Sequence, residues 1–62
     1  MKLTIFLNSG KKTEMSCPTL STGDANTLAR QISRCDLVHT VRVFDPKEPP
    51  LDYQDGFTTD GA

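Results

Sequence analysis

Few residues in this 62-residue chain have the chemistry for a reactive or metal-binding centre: Cys17, Cys35, His39 and eight carboxylates. A thiolate beside an imidazole and a carboxylate is a nucleophile set. Two thiolates and an imidazole are soft zinc ligands, but Cys17, Cys35 and His39 lack the close paired spacing of zinc sites. Hydrophobic periodicity puts both cysteines on apolar faces, Cys17 on a strand and Cys35 on a helix, where burial disfavours the thiolate, and puts His39 on the core-facing side of a strand. The expectation is two small buried thiols in a reducing compartment, with a single Cys17–Cys35 disulfide as the alternative. No Walker A, GxGxxG, HExxH, GxSxG or paired CxxC pattern occurs. The expectation is therefore no enzyme, no metal and no cofactor.

The remaining chemistry belongs to recognition. Arg30, Arg34 and Arg42 supply fork-shaped donors for carboxylates and phosphates, and Phe6, Phe44, Tyr53 and Phe57 supply aromatic surface. Charge is unevenly spread. Residues 1–44 hold six Lys or Arg against three Asp or Glu, whereas residues 45–62 hold one against five. A mildly basic body thus carries an acidic end, an asymmetry that points to interaction. No apolar run approaches the roughly 20 residues of a membrane span. Lys2 is followed by a short, mostly apolar stretch with no small-residue cleavage site, so no export signal is read and a cytoplasmic location is expected.

The elements that must position these residues follow from periodicity. Residues 2–8 read K-L-T-I-F-L-N, with Leu3, Ile5 and Leu7 alternating against Lys2, Thr4 and Phe6, which is a strand. Asn8, Ser9 and Gly10 make a turn. Residues 12–17 alternate again, with Thr13, Met15 and Cys17 on one side, and Pro18 closes this second strand because it has no N–H for the ladder. From Ser21 to Cys35, Ala25, Leu28, Ala29, Ile32 and Cys35 draw one apolar stripe at helical spacing. Ser21 is placed to cap this helix, with Asp24 at its positive end and Arg30 and Arg34 toward its negative end. Residues 37–44, L-V-H-T-V-R-V-F, are β-branched and read as a third strand, with Leu37, His39, Val41 and Val43 on one face. Three prolines then fall within residues 46–50, and no periodicity is read beyond them.

These elements predict an α+β fold: a two-layer β-β-α-β sandwich with a three-stranded antiparallel sheet, order 2-1-3, and one helix on one face. Residues 1–45 form the domain, and residues 46–62 form an acidic, proline-containing tail that is extended or disordered. The helix covers Leu3, Ile5, Val41 and Val43. The opposite sheet face is left open, with Phe6 and Phe44 near each other and Arg42 and Lys12 around them. An exposed apolar patch with a polar rim marks an interaction site.

The resulting expectation is a non-enzymatic protein-binding module, an inhibitor, adaptor or subunit on a larger protein or ribonucleoprotein target. Its contact residues are expected to be Phe6, Arg42 and Phe44 on the sheet, Tyr53, Asp55 and Phe57 on the tail, and Arg30 and Arg34 on the helix. A homodimer through the sheet face or a sheet edge is a further candidate use of the same surface. In size and layout alone, the chain is similar to small accessory proteins that phages and mobile elements direct against host machinery, including anti-defence inhibitors. The competing expectation is nucleic-acid binding, through Arg30 and Arg34 or by base stacking on Phe6 and Phe44.

Overall fold

A computed structural model describes residues 1–58. It contains β1 (Lys2–Leu7), β2 (Lys12–Ser16), α1 (Thr22–Ser33), β3 (Val38–Phe44), β4 (Leu51–Gln54) and β5 (Phe57–Thr58). The strands form one sheet in the order β2-β1-β3-β4-β5, and every neighbouring pair is antiparallel. The expected 2-1-3 arrangement is present as its first three strands. The sheet has five strands rather than three, because part of the expected tail continues it. Residues 59–62, the rest of that tail, lie outside the described residues.

The extension follows from a short alternation inside the acidic segment. In L-D-Y-Q, Leu51 and Tyr53 share one side, while Asp52 and Gln54 share the other. The prolines sit in the connection before this strand and leave its ladder intact. Asp55 and Gly56 then form a two-residue hairpin turn, with φ of 52° and 82°. Left-handed backbone at both central positions gives the hairpin the twist its strands need, and Asp-Gly is a favoured pair for it.

Helix α1 begins as expected, with the Ser21 hydroxyl accepting from the Asp24 amide at 3.2 Å. It ends at Ser33, two residues short of the expected end, with Arg34 as the capping residue. Cys35 therefore leaves the apolar stripe and is exposed, while Cys17 is half-buried, and both are free thiols. This corrects the expectation of two buried cysteines.

A second correction concerns β3. The pairing of β1 with β3 runs Phe6 to Thr40 and then Leu7 to Val38, so the register slips at this point. An irregularity of this kind puts an extra residue on one strand and reverses its facing. Val38 packs against the core, His39 is exposed, and Leu37 is 73% exposed. Beyond the slip, Val41 and Val43 face the helix as expected.

The core consists of Leu3, Val41, Val43 and Tyr53 from the sheet and Ala25 and Ala29 from the helix, all buried. The two alanines give the helix a low surface against the sheet. Ile5, Met15, Leu28, Ile32 and Leu51 pack around this centre. Tyr53, expected among the contact residues, is thus placed in the core. Its hydroxyl donates to Asn26 Oδ1 on the helix at 3.0 Å. Among the described residues, no helix is long and apolar enough to cross a membrane.

One polar contact joins the last turn of the helix to the hairpin. The buried Ser33 hydroxyl donates to the Arg30 carbonyl at 2.8 Å and accepts from the Gly56 amide, also at 2.8 Å. Ser33→Ala strands that buried amide without its acceptor, and the cost expected is about 1–3 kcal/mol. Urea unfolding should show a lower midpoint with an unchanged slope. An unchanged midpoint would mean that water replaces the hydroxyl and that the contact carries no stability.

Candidate functional site

The open sheet face is ordered by register. Its middle row runs Glu14, Thr4, Arg42 and Asp52 across four strands. The row toward the start of β1 is Ser16, Lys2 and Phe44, and the row toward its end is Lys12, Phe6 and Thr40. Phe6 and Phe44 stand opposite residues four apart on one strand, about 13 Å at strand rise. They do not form the joint aromatic patch expected from sequence.

Each ring instead has a cation over it. The Arg42 guanidinium lies 5.3 Å from the Phe6 centroid, and the Lys2 ammonium lies 5.9 Å from that of Phe44. Each cation also has its own carboxylate. Arg42 donates from Nε and one terminal nitrogen to both Asp52 oxygens, at 2.8 and 3.1 Å, and Lys2 lies 3.0 Å from Glu14. The hydrogen bonds and charge of Asp52 hold the Arg42 proton more tightly than usual. The hydrogen bond from Lys2, with its charge, holds Glu14 below the ordinary carboxylate range. Gln54 Nε2 donates to Thr40 Oγ1 at 3.0 Å, and His39 Nδ1 lies 2.7 Å from that same oxygen. This face is largely satisfied by its own side chains, and both phenylalanines are half-buried.

A different grouping appears where the end of α1 meets the β4–β5 hairpin. Arg30, Arg34, Gly56, Phe57 and Thr58 line an open groove of about 330 Å³. The two arginines are one helical turn apart, which places them on one side of α1. The Arg30 guanidinium lies 6.0 Å from the Tyr53 centroid, roofing a ring that belongs to the core. Arg34 lies across the turn, and a β-carbon on Gly56 would stand 2.5 Å from its Nε. Gly56 is thus favoured by its backbone conformation, and a β-carbon there would also push the Arg34 side chain aside. Phe57 is 74% exposed. Among the described residues, neither guanidinium has a carboxylate partner.

The structure therefore sorts the expected contact residues into three sets. Arg30, Arg34 and Phe57, read from separate parts of the chain, converge on one groove. Phe6, Arg42 and Phe44 share the open face but are spread along it. Tyr53 is in the core, and Asp55 occupies the exposed first position of the turn. The signal that would have found the groove is Asp-Gly preceded by alternating residues, which folds β5 back along β4 and brings Phe57 to the rim of the groove, while its register partner Gln54 lies on the sheet face away from the helix.

Two other depressions lie elsewhere among the described residues. One of about 310 Å³ is polar and includes Asn8, Cys35, Asp36, His39 and Asp55. Among the described residues, no group of three His, Cys, Asp or Glu is arranged to hold a metal ion. The other, about 220 Å³, lies at the start of α1 between Thr22, Asn26, Val43, Asp45, Glu48, Pro49 and Leu51. Asp45 forms part of its wall, accepting from the Lys47 amide and the Thr22 hydroxyl, both at 2.9 Å. These two bonds, the Lys47 amide first, lower the Asp45 pKa.

No protein-family model, curated protein or solved structure matches this chain.

The Asp45 bonds fix the sign of a pH effect. A folded-state pKa below the unfolded value gives stability that is complete above the ordinary carboxylate range, about 3.9 for aspartate, and is lost as pH falls through the folded value. Asp45→Asn keeps an acceptor for the Lys47 amide but removes the charge. The variant should be less stable near neutrality and lose less of its remaining stability below about pH 4. Urea midpoints measured from pH 6 to pH 2 test this, and parallel acid limbs for the two proteins would refute it.

Proposed function

We propose that the protein is a non-enzymatic binding module that docks onto a larger protein through Arg30, Arg34 and Phe57. The observation that carries this reading is the pairing of two guanidiniums lacking carboxylate partners among the described residues with a phenylalanine 74% exposed beside them. Arginine and aromatic side chains are the residues that most often dominate binding energy at protein interfaces. Here Arg30 has a built support, its guanidinium lying over the Tyr53 ring. Such support lowers the ordering cost of association. The role fits an inhibitor, adaptor or subunit, which acts by occupying a surface.

Binding of single-stranded nucleic acid is the second reading, favoured by the same pairing of arginine with an aromatic face. Its electrostatic drive is small, because affinity for phosphates grows with the number of cations engaged and this groove has two. Lys12 begins the opposite edge strand, β2, and Lys11 precedes it.

A random-peptide library displayed on yeast and sorted against the full chain tests the reading. Arg30→Gln with Phe57→Ser should weaken the selected binders by about tenfold or more, as expected when a charged hydrogen bond and an aromatic anchor are lost. Phe6→Ala with Phe44→Ala should leave them bound. Binders that ignore the groove substitutions would refute the assignment. Oligothymidylate binding with a steep salt slope, in place of peptide binding, would establish the second reading.

A further inference from the structure

Resting on that reading of the groove, we propose that its occupant is an extended acidic segment with two carboxylates two residues apart and an apolar side chain beside them. The charge argument comes first. Arg30 and Arg34 are the cations lining this groove, and among the described residues neither has a carboxylate partner. Arg42 and Lys2, by contrast, are each paired with an acid on the open sheet face. A guanidinium matches a carboxylate in two-pronged geometry, so the groove selects carboxylates in pairs.

Spacing sets the form of the segment. Residues one helical turn apart, at i and i+4, are separated by about 6 Å along the helix axis. Alternate side chains of an extended strand point the same way and recur about every 6.6–6.8 Å. An acid-x-acid segment lying along α1 therefore brings one carboxylate to each arginine. The Arg30 guanidinium lies over the Tyr53 ring, and the Arg34 side chain lies against Gly56. A helical occupant would place its acids four apart to obtain the same match. However, a helix is about 10–12 Å across with its side chains, whereas the groove is a 330 Å³ trough between one helix and one hairpin. A strand seats its side chains in such a trough more closely than a helix does.

Phe57 sets the third feature. It follows the Asp55-Gly56 turn at the start of β5 and lines the same groove as the arginines. Phe57 pairs with Gln54 and so presents its ring on the open sheet face at the edge of the groove; a leucine or aromatic residue flanking the acids and passing over this edge would cover it. The acidic residues near the turn, with Asp55 exposed on it, disfavour a long polyanion more than a peptide with two charges, which places an acidic peptide ahead of nucleic acid.

The test uses synthetic fluorescein-labelled nonapeptides, each with two aspartates and one leucine in a Gly/Ser background and equal net charge. The aspartates are placed one, two or four residues apart. Fluorescence anisotropy with the full chain should show the two-residue spacing binding about tenfold tighter than either of the others, the scale expected for one lost charged hydrogen bond. Arg30→Gln should remove that preference, and Phe57→Ser should weaken all three peptides while preserving their order. The circular dichroism of both variants should match that of the parent. Equal affinity across the spacings, tighter binding of the four-residue spacing, or tighter binding of oligothymidylate would each overturn the proposal. If library-selected peptides need the groove but carry no acid-x-acid pattern, the spacing is wrong and the binding-module reading stands. If nothing selected needs the groove, both fall.

Discussion

The contact between the Ser33 hydroxyl and the Gly56 amide decides how the second half of the molecule is arranged. The hydroxyl accepts from the hairpin while donating to the helix's own Arg30 carbonyl. Two elements that are distant in sequence are thereby joined through one buried oxygen. The join is also where the groove forms. Arg30 and Arg34 flank Ser33 on α1, and Phe57 follows Gly56 on the hairpin. The same contact that closes the core thus sets the separation between the arginines and the aromatic ring.

The two sides of the sheet solve different problems. The helix side is closed by aliphatic packing on Ala25 and Ala29, with Tyr53 sealing the end of the layer. The other side has no helix on it among the described residues, and it uses ion pairs and cations placed over rings. Arg42 serves Phe6 and Asp52 together, and Lys2 serves Phe44 and Glu14. Long charged side chains cover apolar surface with their stems while keeping their charge in water. An open face bearing two phenylalanines is therefore partly covered by the molecule's own cationic side chains.

Much of the first half of the fold was legible in sequence. Leu3, Ile5 and Leu7 against Phe6, and the stripe from Ala25 to Ile32, fixed the strand, the helix and the face between them. Ser21 marked the helix start because its capping role is local. What was not legible had non-local causes. The slip between Phe6 and Leu7 turned Val38 inward and His39 outward, and a single strand's alternation carries no trace of a fault in its pairing. The early end of α1 moved Cys35 into water although its spacing continued the stripe. The strand in L-D-Y-Q was obscured by neighbouring prolines and acids, which weigh heavily in composition but sit outside the ladder. Of the site, the residue types were legible and their grouping was not, because Phe57 reaches Arg30 and Arg34 only through the Asp55-Gly56 turn.

Placement of that turn has a consequence for how binding and folding are coupled. A domain of about 60 residues buries a smaller share of its surface than a larger one and has little stability in reserve. The β4 strand contributes Tyr53 to a core with six buried apolar side chains among the described residues, so the segment that bears the groove is also part of what holds the sheet to the helix. An occupant that binds the groove bridges α1 and the hairpin from outside, in parallel with the Ser33 contact from within. Binding of this kind favours the folded state in proportion to occupancy, so a partner at Arg30, Arg34 and Phe57 acts on the same joint that the core depends on. Binding and stability are therefore linked through one hairpin, and a substitution that loosens the hairpin weakens the groove even when the arginines themselves are untouched.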